Sequence, residues 1–171
     1  VIANIHEAIT RVGYKSIGVY DFPDNRFDTV ALLDIIKVVE SEKNSYQPDI
    51  IFTHHGGDVN IDHQRTFQAV ITASRPMEHE AVQLINTFET PSGTEWRASS
   101  DPNHFIPDTF FSVNELDLKA KIEAMESYEF EKRAYPHPRS PKALSTLATY
   151  RGVMVGKSLA EAFATVRMII S

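Results

Sequence analysis

Hydrophobic positions in the first half of the chain follow helical spacing in two segments. Ile2, Ile5, Ala8, Ile9 and Val12 recur on one face, and Gly13 follows where a helix favours a left-handed residue. The segment 29–43, TVALLDIIKVVESEK, repeats this spacing, with Asp28 or Thr29 as the candidate N-cap. These patterns predict a helix ending near Gly13 and a second amphipathic helix.

Short apolar runs come between and after these helices. Ser16 to Asp21, SIGVYD, is rich in β-favouring residues and is closed by the turn sequence FPDN, and DIIFT at 49–53 is a compact apolar run. The order helix, strand, helix, strand predicts an α/β fold of the Rossmann-like three-layer αβα type with a mainly parallel sheet. We treat residues 1–171 as a single domain.

The second half of the chain continues with alternating strand and helix patterns. AVQLINTFET at 81–90 and FIPDTFFSV at 105–113 predict strands, and the segment 115–132 predicts a long helix with an apolar stripe through Leu116, Ile122 and Met125. A proline-rich loop, RAYPHPRSP, precedes a closing helix and a last short apolar run. There are no internal repeats.

Composition excludes several classes of protein. The chain has 42% hydrophobic and 23% charged residues, and no apolar run is long enough for a transmembrane span. The formal net charge of -6 comes from scattered acids rather than from a basic stripe, which argues against nucleic acid as a partner. There are no cysteines, so any metal would be held by histidine and carboxylate groups. We expect a cytoplasmic protein.

The loop after the DIIFT run concentrates the residues that can perform chemistry. The stretch FTHHGGDVNIDH, 52–63, holds three of the seven histidines and leads into a predicted helix that begins near His63. In open α/β sheets, ligands bind at the carboxyl edge of the strands, which is where this loop lies. Neutral imidazole and carboxylate are also the ligands of catalytic zinc.

Each residue of this loop also has a simpler explanation. Asp62 could serve only the helix N-terminus, and His63 could be a surface residue. His54 and His55 could be loop histidines used for hydrogen bonding, and Asp58 and Asn60 both tolerate turn conformations. The joint occurrence of these residues at a strand's carboxyl edge favours a site.

Several stretches resemble one known family. THHGGDVNIDHQ is similar to the second signature of the PIG-L/LmbE-like deacetylases, zinc-dependent hydrolases that remove the acetyl group from N-acetylglucosamine-type sugars. DFPDN, ETPSGTEW and YPHPRS resemble further stretches of its bacterial members, in the same order along the chain. The resemblance implies a de-N-acetylase with zinc, or another divalent metal, as cofactor and an N-acetylated amino sugar or glycoconjugate as substrate.

The resemblance also implies roles for single residues. His63 matches a zinc ligand, and Asp62 matches an aspartate that supports a catalytic histidine two positions before it. That earlier position is Asn60 here, and an amide cannot protonate a leaving amine, so His55 is our candidate for the acid. Asp58 and Asn60 are expected to orient the sugar or the metal-bound water.

The first signature of the family, His-Pro-Asp-Asp with a following Glu, does not occur in these 171 residues. In the family it supplies the other zinc ligands and the general base from the first strand. We therefore expect that the N-terminal βα unit is missing from this chain, and that the chain as given is inactive. The alternative function is a non-catalytic module that binds a sugar or a protein partner and has kept the crevice without a complete metal site.

Residues outside the loop complete the candidate set. Asp24 and Arg26 lie on the turn after the first predicted strand and could reach a polyhydroxylated substrate, although an exposed turn arginine needs no ligand. His137 lies between two prolines on a stiffened loop that could cover the site or be merely structural. Glu95 and Trp96 could offer a hydrogen-bonding carboxylate and a stacking face for a sugar. Exposed apolar residues at Phe105, Phe110 and Phe111 would suit a homo-oligomer interface.

Overall fold

A computed structural model describes residues 2–15 and 17–170 of the chain. Five α-helices and four β-strands occur within these ranges. In chain order they are α1 (Ile2–Val12), α2 (Leu32–Tyr46), β1 (Ile50–His54), α3 (Ile61–Ala73), β2 (Leu84–Phe88), β3 (Thr109–Ser112), α4 (Glu115–Glu126), α5 (Pro141–Met154) and β4 (Ala160–Met168). The predicted α/β class is confirmed.

The four strands form a mixed sheet in the order β1-β2-β4-β3. Strand β1 pairs with β2 in parallel, with His54 opposite Phe88, and β2 pairs with β4 in antiparallel orientation. The parallel pair follows from the crossover through α3, because a parallel connection needs a long return segment. The last apolar run, predicted as short, forms the nine-residue strand β4.

The chain divides into two compact units. One comprises the residues up to Tyr20 with Phe110–Ala162, and the other comprises Asp21–Thr109 with the residues from Phe163 onward. In the first, α1 packs against α4, and Leu118, Ala148 and Leu159 form a buried core. In the second, α2 packs on α3 around Ile35, Ile36 and Ala69.

The predicted strand at Ser16 to Asp21 is not formed. Ser16 lies outside the described residues, and residues 17–21 have no regular secondary structure. Ile17, Val19 and Tyr20 are 44%, 52% and 45% exposed, so these β-favouring residues are only about half buried. Since β propensity reflects packing against neighbouring strands, it does not by itself produce a strand here.

Two helix details also differ from the prediction. Residues Phe27–Thr29 form a 3₁₀ turn in which the Thr29 hydroxyl donates to the Arg26 carbonyl, so neither Asp28 nor Thr29 caps α2, which begins after Ala31.

The helix α4 ends at Glu126 rather than Lys132, and Leu116 is 76% exposed. Asn114 caps α4, and the buried face begins at Leu118.

A largely buried ion pair fastens α2 to the segment before β2. The Lys43 ammonium donates to the Glu80 carboxylate and, at 2.6 Å, to the Ala73 carbonyl at the end of α3. The other Glu80 oxygen accepts the Val82 N–H at 3.0 Å. Burial by itself raises the pKa of Glu80, but the hydrogen bonds from Lys43 and Val82 outweigh it and hold the pKa below its usual 4.5.

Glu80→Gln is therefore expected to lower the free energy of unfolding at pH 7 by about 2 kcal/mol, because it leaves Lys43 without its counter-charge. A carboxylate whose folded pKa is depressed stabilises the fold above its unfolded pKa, and this stabilisation is lost as the pH falls through the folded value. Denaturant unfolding between pH 7 and pH 3 should thus show a shallower acid loss for the variant than for the parent chain. The exposed Glu78→Gln is the matched control, and equal pH profiles for parent and Glu80→Gln would contradict the assignment.

Candidate active site

The loop between β1 and α3 holds the histidine and carboxylate groups that the sequence singled out. Strand β1 ends at His54, and α3 begins at Ile61. Asn60 is the N-cap of α3, since its side-chain oxygen accepts the N–H of Asp62 at 2.8 Å and that of His63 at 3.4 Å. His63 is thereby fixed in the first turn of a helix that follows directly on the strand's carboxyl end.

Asp62 binds backbone rather than a catalytic side chain. Its two oxygens accept the N–H groups of Asn25 at 2.6 Å and Phe27 at 2.9 Å. The Asn60 amide also donates to the Asn25 side chain at 3.3 Å. The carboxylate thus holds the segment around Arg26 against the start of α3, and the catalytic role of Asp62 stays a prediction.

Asp58 and His63 form a carboxylate–imidazole pair. Asp58 is fully buried, with one oxygen 2.9 Å from His63 Nδ1 and the other accepting the Asn60 N–H at 2.8 Å. Burial by itself raises the pKa of Asp58, but the hydrogen bonds from His63 and Asn60 outweigh it and keep the pKa below its usual value.

The tautomer of His63 follows from its hydrogen-bond partner Asp58. An ionised Asp58 only accepts hydrogen bonds, so His63 Nδ1 is the nitrogen that donates. In the neutral ring Nε2 then has the lone pair. This carboxylate–histidine arrangement is the one that orients histidine ligands in metal sites and histidine bases in hydrolases.

His54 packs directly on His63. The two rings are stacked, with centroids 4.2 Å apart and planes 19° from parallel, and the Phe88 ring lies 4.9 Å away on β2. Burial is the main reason that the pKa of His54 falls to about 4, with a further contribution from His63 that Asp58 partly offsets. His54 is therefore neutral at pH 7.

His55 is engaged at both ring nitrogens. Its Nε2 lies 2.9 Å from the Asn103 carbonyl oxygen, and its Nδ1 lies 3.4 Å from the Thr87 hydroxyl. Because a carbonyl only accepts, Nε2 is the protonated nitrogen. These contacts attach the segment around Asn103 to the loop, and the acid role of His55 stays a prediction.

Glycines allow close approach at two points of the site. A Cβ on Gly57 would lie 1.7 Å from the Asn103 carbonyl oxygen, and one on Gly93 would lie 2.6 Å and 2.7 Å from the two Asp58 oxygens. Glu95 shapes the second contact, since its carboxylate accepts the N–H groups of Ser92 and Gly93. Glu95 therefore has a structural role in this turn, and its contact with a substrate stays a prediction.

The remaining predicted residues have separate environments. The Arg26 side chain is exposed, on the segment that Asp62 holds. His137 belongs to the unit of α4 and α5, where its Nδ1 accepts the Arg139 N–H at 3.2 Å, so its role as a cover for the site stays a prediction. Of the three candidate interface residues, Phe111 is 45% exposed, and the Phe105 ring packs edge-on against His55.

The described residues do not form a complete metal site. Within residues 2–15 and 17–170, no group of three histidine, aspartate or glutamate side chains is placed to hold one ion. His63, oriented by Asp58, fits one ligand position. Zinc therefore fits this part of the chain only in part, and we assign no chemical step to it.

Sequence patterns did not reveal three features of the site. The pairing of Asp58 with His63, the stack of His54 on His63 and the contact of Gly93 with Asp58 all depend on how the loop folds back. For the Asp58–His63 pairing, the sequence offered one indication, a carboxylate five positions before the histidine. Gly93, which lies 35 residues from Asp58, gave no local signal.

Comparison with known proteins supports the family resemblance. The PIG-L family model, described as GlcNAc-PI de-N-acetylase, matches residues 2–74, which include the whole His63 loop. No curated protein sequence matches the chain. The resemblance to PIG-L/LmbE-like deacetylases is confirmed.

Solved structures share the fold at low sequence identity. The 4-carboxy-2-hydroxymuconate hydratase GalB from Pseudomonas putida KT2440 has a TM-score of 0.75 and 17% identity, over 99% of this chain and 72% of that one. The N,N'-diacetylchitobiose deacetylase from Pyrococcus horikoshii has a TM-score of 0.64 and 17% identity, over 97% and 62%. The A40926 pseudoaglycone deacetylase Dbv21 has a TM-score of 0.66 and 16% identity, over 99% and 71%.

No helix among the described residues is long and apolar enough to cross a bilayer.

Proposed function

We propose that this chain, PIG-L-like by its match over residues 2–74, belongs to an enzyme that hydrolyses an N-acetyl group on an amino sugar or glycoconjugate. The observation that supports this most directly is the Asp58–His63 pair at the start of α3. It presents an oriented imidazole at the carboxyl end of β1, where α/β proteins bind substrates. Deacetylases among the similar structures share this fold.

Amide hydrolysis makes three demands on a site: activation of water, stabilisation of a tetrahedral oxyanion and protonation of the leaving amine. In this proposal Asp58 positions His63, and His63 offers its Nε2 lone pair to a cation or a proton. Zinc, or another divalent metal, enters the proposal through the family, with His63 as the ligand that this chain supplies. Asp62, Asn60 and His55 keep the surrounding segments in place.

The reaction product distinguishes this function from its rivals, because the same fold also occurs in a hydratase. The complete gene product, incubated with N-acetylglucosamine and N,N'-diacetylchitobiose, is expected to release acetate and a free amine in equal amounts. Sugar binding without acetate release would instead favour the binding module. If the protein neither binds these sugars nor releases acetate from them, the proposed substrate class is wrong.

A further inference from the structure

His54 has no assigned role, yet its ring stacks on the ring of His63. The His54 ring centroid lies 4.2 Å from that of His63 and 4.9 Å from that of Phe88. Strand register produces this arrangement, because His54 is the last residue of β1 and lies opposite Phe88 on β2. The position is therefore set by the sheet rather than by a flexible loop.

One hydrogen bond does not fix an imidazole ring. The bond from Nδ1 to Asp58 determines which edge of His63 faces the carboxylate, but the ring can still rock about that bond. A flat neighbour parallel to the ring removes this freedom, since rocking would break the stacking contact. Asp58 and His54 together define both the direction and the plane of His63.

The geometry argues against a direct chemical role for His54. Its Nδ1 is buried without a hydrogen-bond partner among the described residues. Nitrogen lone pairs lie in the ring plane, and two nearly parallel rings stacked at this distance cannot both aim at one ion about 2.1 Å away. His54 and His63 are thus poorly placed to bind the same metal.

We propose that His54 is a positioning residue whose flat aromatic ring sets the plane of the His63 imidazole by stacking, without using its own nitrogens. The role deepens the proposed function, but its first test does not depend on that function. It predicts that an apolar aromatic side chain can replace His54 and that an apolar side chain of similar volume but without a flat face cannot.

Two variants separate shape from chemistry. His54→Phe keeps a flat ring and removes the unpartnered buried nitrogen, so its thermal stability should equal or exceed that of the parent. His54→Leu fills a similar volume with a side chain that has no flat ring to stack on His63. In the 171-residue chain, the ¹⁵N resonances of His63 should show one Nδ1–H tautomer in the parent and in His54→Phe. They should move toward tautomer-averaged values in His54→Leu.

Kinetics of the complete gene product provide the second readout. His54→Phe should keep kcat/KM within about threefold of the parent, and His54→Leu should lose about tenfold, mainly in kcat, because a misplaced catalytic group slows the reaction. If His54→Phe loses as much as His54→Leu while its tautomer signal stays normal, His54 uses its nitrogens and the proposal is wrong. Unchanged His63 resonances in His54→Leu would also overturn it. An inactive parent would count against the proposed function only, since the resonances would still decide the role of His54.

Discussion

Replacing Asp58 by asparagine is expected to lower kcat/KM of the complete gene product about tenfold to a hundredfold, the usual effect of removing a carboxylate that orients a histidine. Both Asp58 oxygens accept hydrogen bonds, one from His63 Nδ1 and one from the Asn60 N–H. Asparagine has one accepting oxygen and an amide group that only donates, so one of these two donors must lose its partner. The buried negative charge opposite His63 also disappears.

The control for this experiment is Asp34→Asn, which removes an exposed carboxylate from the first turn of α2. It should leave steady-state kinetics unchanged. Thermal unfolding of both variants separates a loss of catalysis from a loss of fold. Parent-like kcat/KM in a folded Asp58→Asn protein would show that the Asp58–His63 pair does not support the reaction.

Gly57→Ala is expected to reduce the free energy of unfolding of the 171-residue chain by about 3 kcal/mol, at the upper end of overpacking effects. The added Cβ would lie 1.7 Å from the Asn103 carbonyl oxygen, which belongs to the backbone and cannot rotate away. Moving the Asn103 backbone away from the new Cβ would also stretch the hydrogen bond from His55 Nε2 to that oxygen. Denaturant unfolding followed by circular dichroism measures the loss.

Gly18→Ala is the matched control for Gly57→Ala. The three atoms nearest to a Cβ at Gly18 belong to the Tyr20 side chain, at 3.1 to 3.3 Å, and this side chain is 45% exposed and can shift. This variant should change the unfolding free energy by less than about 1 kcal/mol. Equal stability of Gly57→Ala and the parent would mean that the segment around Asn103 does not pack against the loop as described.

Sequence patterns predicted the elements that bury a periodic face. Helices α1, α2 and α3 and strands β1 and β2 were found close to their expected positions, because their apolar residues repeat with the period of the element. The pattern failed at residues 17–21, where β-favouring side chains remain exposed, and at Leu116, where the capping turn of α4 precedes the buried face. Both failures concern packing partners, which local sequence does not contain.

The candidate site was predicted in place but not in detail. The position of the loop after β1 followed from element order, and His63 followed from the family resemblance. The contacts of Asp62 and His55 could not be predicted, because their partners Asn25 and Asn103 lie 37 and 48 residues away along the chain. Asp58 was expected to orient the sugar or the metal-bound water; its contact with His63 from a fully buried position was not predicted.

In the proposed function, His63, oriented by Asp58, offers its imidazole to a metal or a proton in an amide-hydrolysing site. Acetate release and bound metal of the complete gene product, measured for the parent, His63→Ala and the exposed-histidine control His79→Ala, test this assignment. We expect His79→Ala to match the parent, and His63→Ala to release acetate no faster than an enzyme-free blank and to lose bound metal. A folded His63→Ala protein that retains the acetate release and metal content of the parent would contradict the claim.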